Sequence, residues 1–237
     1  MKRITPLLLA ILLAGCATGF DRGAIRQRLE GEKLEVTDAD IQAALAKKAQ
    51  LRFPIKVAVH LIAETYRPGE SDYYRARSED WRWSVLDKEK LEEYITPLKQ
   101  SGLVSDVFVM SDMISTQNDL KSIRLAAAKH GADAVLLVKG IAQVDSYINP
   151  LAILNLLILP GYILPSSHRD VLFMMKGAMW DVGNEFLYLS VDAEGDSRTK
   201  GPTFTIKDKE AIGVAKEQAL KSFASELSKR LSALRRP

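Results

Sequence analysis

Three histidines, a Gly-Asp-Ser triplet and a single cysteine are the residues of this chain whose types could do chemistry. His60 lies in an alternating apolar stretch, His130 at the end of a helical stretch, and His168 beside a long apolar run, so no metal-ligand spacing emerges. His130 is explained by a helix C-terminus, where an imidazole caps carbonyls and suits the dipole. Gly195-Asp196-Ser197 has the opening of a hydrolase motif but lacks the usual following leucine and any downstream Asp-x-x-His pair. No glycine-rich phosphate loop follows a strand. The pattern therefore predicts no enzyme: no catalytic residue, no metal and no cofactor.

Cys16 is different, because its surroundings give it a role. Lys2 and Arg3 form a positive start, Leu7 to Leu13 a short apolar run, and Ala14-Gly15 the small residues a signal peptidase accepts. The apolar run is about half of the ~20 residues a membrane-spanning helix needs. Leu13-Ala14-Gly15-Cys16 resembles the lipobox of bacterial lipoproteins, in which the thiol is acylated and the chain is cut before it. The resemblance implies a signal peptide over 1–15 and a palmitate-type acyl anchor on Cys16. Ala17, in place of aspartate, implies an address at the outer membrane, facing the periplasm. Residues 17–20 then form a very short tether, so the first helix, expected over 22–30, begins close to the lipid.

Composition narrows the partners. Residues 1–15 carry Lys2 and Arg3 and no acid, out of 33 basic and 30 acidic residues in the whole chain, so the mature protein is nearly neutral. That gives no electrostatic case for nucleic acid. With the one cysteine given to lipid, the fold must stand on its core alone, for which ~220 residues suffice. The expected layout is a signal over 1–15, a lipidated tether with N-terminal helices over 16–52, and one domain over 53–237.

Two internal segments invite a surface role. Residues 66–83 interleave Tyr66, Tyr73, Tyr74, Trp81 and Trp83 with Arg67, Arg75, Arg77 and Arg82. Aromatics and arginines dominate binding hot spots, so Tyr73, Tyr74, Arg77, Trp81 and Trp83 are candidates for contact with another envelope protein. The competing reading folds the aromatics back onto the sheet and pairs the arginines with Glu70, Asp72, Glu79 and Asp80. Residues 147–165 are uncharged from Pro150 to Leu164, and Pro160-Gly161 breaks any helix there. Fifteen helical residues reach only ~22 Å, short of a bilayer core. This insertion reads as a buried crossover, a membrane-resting loop, or a homo-oligomer interface through Leu151, Leu154, Leu157 and Ile158.

The elements that must position these residues follow from periodicity. Helices are expected over 22–30 and 38–51, the second capped by Thr37 with Ile41, Leu45 and Leu51 on its apolar side. Ile55, Val57, Val59 and Leu61 alternate with Lys56, Ala58 and His60 as a strand. Asp87 caps a helix carrying Leu91, Tyr94, Ile95 and Leu98, kinked at Pro97 and stopped at Gly102. Val104 to Met110 is apolar on both faces and is expected at the sheet's centre. A helix from Asp119 to His130 with Gly131 as its C′ residue precedes a third strand over 134–144. Strands over 171–182 and 185–193 join through a two-residue Gly183-Asn184 turn, and a long amphipathic helix runs from Ile212 to Leu234. The fold class is α/β with α+β character: strand–helix units with parallel neighbours, then an antiparallel hairpin and a covering helix.

This element order, with the stretch Lys129-His130-Gly131-Ala132-Asp133-Ala134-Val135-Leu136-Leu137-Val138, resembles a broad group of bacterial lipoproteins. The group includes the curli-secretion lipoprotein, the lipoprotein activators of penicillin-binding proteins and the rhombotarget lipoproteins. The resemblance covers roughly residues 53–234. It implies a sandwich like the anticodon-binding domain and the amino-terminal domain of TolB, in a scaffold, activator or ring-forming role. Fold alone transfers none of those functions.

Overall fold

The computed structural model describes residues 20–30, 36–65, 81–111, 119–148, 167–201 and 208–235. The elements, in chain order, are α1 (Arg22–Glu30), α2 (Asp38–Ala46), β1 (Ile55–Thr65), α3 (Val85–Gln100), β2 (Val104–Val109), α4 (Leu120–Lys129), β3 (Ala134–Ile148), β4 (Ser167–Asp181), β5 (Leu187–Gly201) and α5 (Asp208–Leu234). One mixed sheet has the order β2-β1-β3-β4-β5. β1 pairs parallel with both β2 and β3, and β4 pairs antiparallel with β3 and β5. The α/β class with a C-terminal antiparallel hairpin is therefore the architecture of the protein.

Period-two alternation assigns the two faces of the sheet. Val57, Val59, Leu136, Val138, Phe173, Met175 and Val191 point to the side covered by α3 and α5, where the main core lies. On the opposite side α4 packs Ile123, Ala126 and Ala127 on Ala58 and Val135. There α1 sets Ile25 and Leu29 on Ile141, Leu172 and Met174. α5 presses its stripe of Ile212, Ala215, Ala219, Phe223, Leu227 and Leu231 onto the sheet as its periodicity predicts. The sheet makes room for it with glycine. A Cβ at Gly195 would stand 2.6 Å from the Ala219 amide nitrogen, and one at Gly177 would stand 2.7 Å from Cε2 of Phe223.

Helix ends follow local chemistry. Ser84, not Asp87, is the N-cap of α3; Asp87 is the N3 partner of a full capping box. Thr37 and Asp40 form the same box on α2. Gly102 and Gly131 close α3 and α4 with φ of +69° and +67°, the left-handed geometry glycine adopts without strain.

Several expectations are corrected. β2 is an edge strand rather than a central one. Its edge is occupied by side chains of α3: Glu92 accepts from the Val109 amide at 3.2 Å, and Lys99 pairs with Asp106 at 2.7 Å. α3 runs through Pro97 to Gln100 as one helix and is not divided there. α2 ends at Ala46 and buries none of its residues, leaving Ile41 and Leu45 exposed. The β4–β5 connection spans 182–186, not two residues. Asp181 accepts from the amides of Gly183 and Asn184, Asn184 accepts from Phe186, and the residue at positive φ is Glu185.

Strand directions give the sheet two unlike ends. At one, short turns at 101–103, 130–133 and 182–186 close the fold. At the other, β1, β2, β3 and β5 finish and β4 begins, so the connections 66–80, 112–118, 149–166 and 202–207 all start there.

Candidate functional site

Among the described residues, a buried polar cluster and a surface groove bring charged groups together. The first is where the chain re-enters the core after residue 80. Trp81 is 6% exposed, and its ring meets Phe173 edge-on at 4.7 Å and Trp83 at 5.0 Å. Gly140 on β3 leaves the space these rings fill, since a Cβ there would lie 2.8 Å from each indole. Lys216 of α5 stands 5.8 Å over both rings and donates to Oδ2 of Asp87 at 2.5 Å. The same carboxylate oxygen accepts from the Ser84 amide and hydroxyl at 2.8 and 2.7 Å. Both members of the ion pair are about nine-tenths buried. Trp81, Trp83 and Asp87 are thus gathered by one cation where α5 meets the sheet.

The aromatics at 81 and 83 fold back on the sheet, in line with the competing reading of this segment: Trp81 belongs to the core and Trp83 packs against it half-buried. Tyr73, Tyr74 and Arg77 lie outside the described residues. So do Cys16 and the apolar positions Leu151, Leu154, Leu157 and Ile158.

The second place is a groove of about 550 Å³ along the outer strand β5. It is lined by Arg26 and Leu29 of α1 on one side of the sheet, Ser222, Glu226 and Arg230 of α5 on the other, and Lys176, Asp192 and Glu194 of the strands between them. Much of its charge is already paired: Lys176 with Glu30 at 2.8 Å, Arg22 with Glu194 at 3.5 Å, and Arg230 with Glu226 at 2.9 Å. Glu30 and Glu226 are held below the ordinary carboxylate range by hydrogen bonds from Lys176 and Arg230. Residues paired in this way offer contact surface rather than a reactive group.

The remaining candidates are separated by the fold. His60 is buried on β1, His168 sits at the start of β4, and His130 is the C-cap of α4 with its ring 5.3 Å from Phe108. Ser197 lies within β5 under α5, 8% exposed, and its hydroxyl donates to the Ala211 carbonyl at 2.9 Å. Gly195 is needed for the close approach of α5, so this triplet is a helix-packing feature. Among the described residues no group of three or more His, Cys, Asp or Glu is placed to hold a metal. No helix among them is long and apolar enough to cross a membrane.

A polar feature that periodicity does not reveal is the clamp on the N-terminal arm. The Tyr188 phenol accepts from the amides of Gln50 and Leu51 at 2.8 and 3.1 Å and donates to Asp181 at 2.6 Å. Burial first, and then the bond to Asp181, raise its pKa above the usual tyrosine value. Lys47 and Arg124 both engage Glu185, and Asn184 donates to the Lys48 carbonyl at 2.7 Å. The only hint in the sequence is the density of hydrogen-bonding side chains at 181–188.

No protein-family model matches this chain, and no curated protein does. Solved structures with a similar arrangement include a PelC variant dodecamer from Paraburkholderia phytofirmans, 14% identical with a TM-score of 0.35, covering 78% of this chain and 95% of that one. The hypothetical protein CT253 from Chlamydia trachomatis is 8% identical with a TM-score of 0.38, covering 76% and 99%. Lipoprotein GNA1162 from Neisseria meningitidis is 13% identical with a TM-score of 0.32, covering 76% and 99%.

Proposed function

We propose that this chain is a non-catalytic lipoprotein of the bacterial envelope, anchored through acylated Cys16, that recognises another envelope protein with the segment 66–80. The observation that carries the reading is the clamp at its base. A core cation–indole–carboxylate cluster that fixes Trp81, Trp83 and Ser84 makes mechanical sense where the preceding segment must present side chains in a set place. The polarity of the sheet supports it. α1 points its N-terminal end, at Arg22, toward Glu194, and its C-terminal end, at Glu30, toward Lys176. The N-terminus of α1 therefore lies toward the end of the sheet where β1 ends and from which the 149–166 connection starts. Five extended residues reach at most ~18 Å, so an anchor on Cys16 keeps that end close to lipid.

In this reading Tyr73, Tyr74 and Arg77 supply the contacts, the acyl chains supply the address, and Leu151, Leu154, Leu157 and Ile158 rest on the membrane. Outer-membrane residence follows from Ala17. A photo-reactive amino acid at position 73, 74 or 77 in intact cells tests the recognition. A discrete adduct with one envelope protein is expected. Absence of any adduct from all three positions removes the reading. Cys16→Ser separately tests the anchor, by releasing the chain from sedimented membranes.

A further inference from the structure

β5 is an edge strand of 15 residues, and among the described residues no strand pairs with its outer side; such an edge invites another strand. Edges of this length are normally blunted by scattered charges or by a bulge. Here the charges are segregated. Asp192, Glu194 and Asp196 occupy the first part of the exposed face of β5, and Arg198 and Lys200 the second, all of them exposed. The Asp196 amide turns away from β4 and donates to Oε1 of Gln218 at 3.3 Å, so the even-numbered residues present their main-chain groups to the open side.

We infer that β5 pairs with β5 of a second copy of this chain, antiparallel, about a two-fold axis at Ser197. In that register Asp196 faces Arg198 of the other copy and Glu194 faces its Lys200, each contact occurring twice. These are the even-numbered residues whose main-chain groups face outward, so each charged pair is also a main-chain hydrogen-bonded pair. Moving the axis to residue 196 sets Asp196 against Asp196. Moving it to residue 198 sets Arg198 against Arg198. Each shift keeps some opposite pairs (Glu194 with Arg198 and Asp192 with Lys200 about residue 196, Asp196 with Lys200 about residue 198) but adds a like-charge contact at the axis, so the axis at Ser197 is the one of the three with no like-charge pair. Gln218 is exposed on α5, and its long bond to Asp196 is replaced by a carbonyl of the entering strand. The groove beside Asp192 and Glu194 flanks the path of that strand. The inference does not depend on what the 66–80 segment binds.

The test uses two variants of the full chain in detergent. Glu194→Lys with Asp196→Lys makes the exposed charges from 194 to 200 all positive, and Arg198→Glu with Lys200→Glu makes them all negative. The unaltered chain is expected to sediment with the protein mass of a dimer, and each variant alone with half that mass. An equimolar mixture is expected to regain the dimer with one chain of each kind, while single melts in circular dichroism report that both variants are folded. A monomeric unaltered chain, a variant that stays dimeric, or a folded mixture that stays monomeric overturns the pairing.

Discussion

Replacing Lys216 by methionine keeps most of the side-chain volume and removes the charge that gathers Trp81, Trp83 and Asp87. Asp87, 8% exposed, then loses its cation. Breaking a buried pair from one side costs about 3–5 kcal/mol. Asp87 keeps the amide and hydroxyl of Ser84 as donors, which places the loss at the lower end, near 3 kcal/mol. The ammonium also lies 5.8 Å over each of two indoles, near the limit of an effective cation–π contact, so about 0.5 kcal/mol per ring is lost with it. The expected loss is therefore about 4 kcal/mol, or roughly 10 °C in Tm for a domain of this size. Urea titration measures it, and the double variant Lys216→Met with Asp87→Asn gives the coupling. Because the second change removes the stranded charge, the double variant should cost no more than Lys216→Met alone. A loss below ~1 kcal/mol for the single change, in the range of an exposed surface pair, refutes the clamp. So do single losses that simply add.

Gly195→Ala forces α5 off the sheet against main-chain atoms and should cost about 1–3 kcal/mol, whereas Gly213→Ala, with nothing within 4 Å, should stabilise the same helix by up to ~1 kcal/mol; thermal melts of the pair compare them directly. Tyr188→Phe leaves the Gln50 and Leu51 amides to water and should cost about 1 kcal/mol, with faster hydrogen exchange at those two amides as the local sign. Because the Tyr188 pKa is raised above its ordinary 10.0, its contribution is present below that value and is lost as pH rises through the raised one. Alkaline unfolding should therefore shift less in Tyr188→Phe than in the unaltered chain. Glu217 is held below its ordinary 4.5 by Lys90 first and then Lys221, so its α3–α5 link is intact above that value. The link is lost as pH falls through the depressed one, and Glu217→Gln should remove this acid-sensitive part of the melting curve.

Local chemistry made the helix ends legible. Thr37 with Asp40, Asp119, Gly102 and Gly131 sit where side-chain oxygens and glycine satisfy orphaned main-chain groups, and these signals act within four residues. The stripe of α5 was equally plain, since seven apolar residues at helical spacing admit one inward face. Position within the sheet was not. Val104 to Val109 has the valines of a central strand, but it also carries Ser105 and Asp106 and sits at the edge, where Glu92 and Lys99 of the preceding helix bond to it. Trp81 and Trp83 look alike as surface anchors or core residues. The deciding neighbours, Gly140, Phe173 and Lys216, lie between 57 and 135 positions away in sequence. Five residues of turn chemistry hid the 182–186 connection for a similar reason: Asp181 bonds two amides and takes the role assigned to Gly183-Asn184.

Symmetry ties the proposed pairing of β5 to the proposed anchor. An antiparallel strand pair that matches even-numbered residues with even-numbered residues has its two-fold axis perpendicular to the sheet, so both copies show the same face to the same side. α1 of each copy, and the chain entering it at Phe20, then lie on one side of a continuous sheet. A bilayer facing that side can receive both lipid anchors, although the sheet ends of the two copies point in opposite directions along the strands. A register matching even with odd would send the anchors to opposite faces of the sheet. The axis at Ser197 also falls close to the end of β5, so the copies overlap near the sheet ends that carry the 66–80 and 149–166 connections and extend apart from there. Anchoring both chains in one membrane raises the effective concentration of one edge for the other, so even a modest edge-to-edge affinity is amplified where the protein is tethered. The released Cys16→Ser chain should accordingly dimerise more weakly than the anchored one at equal amount, as crosslinking across β5 measures. Equal dimerisation of the two forms would separate the edge pairing from the membrane.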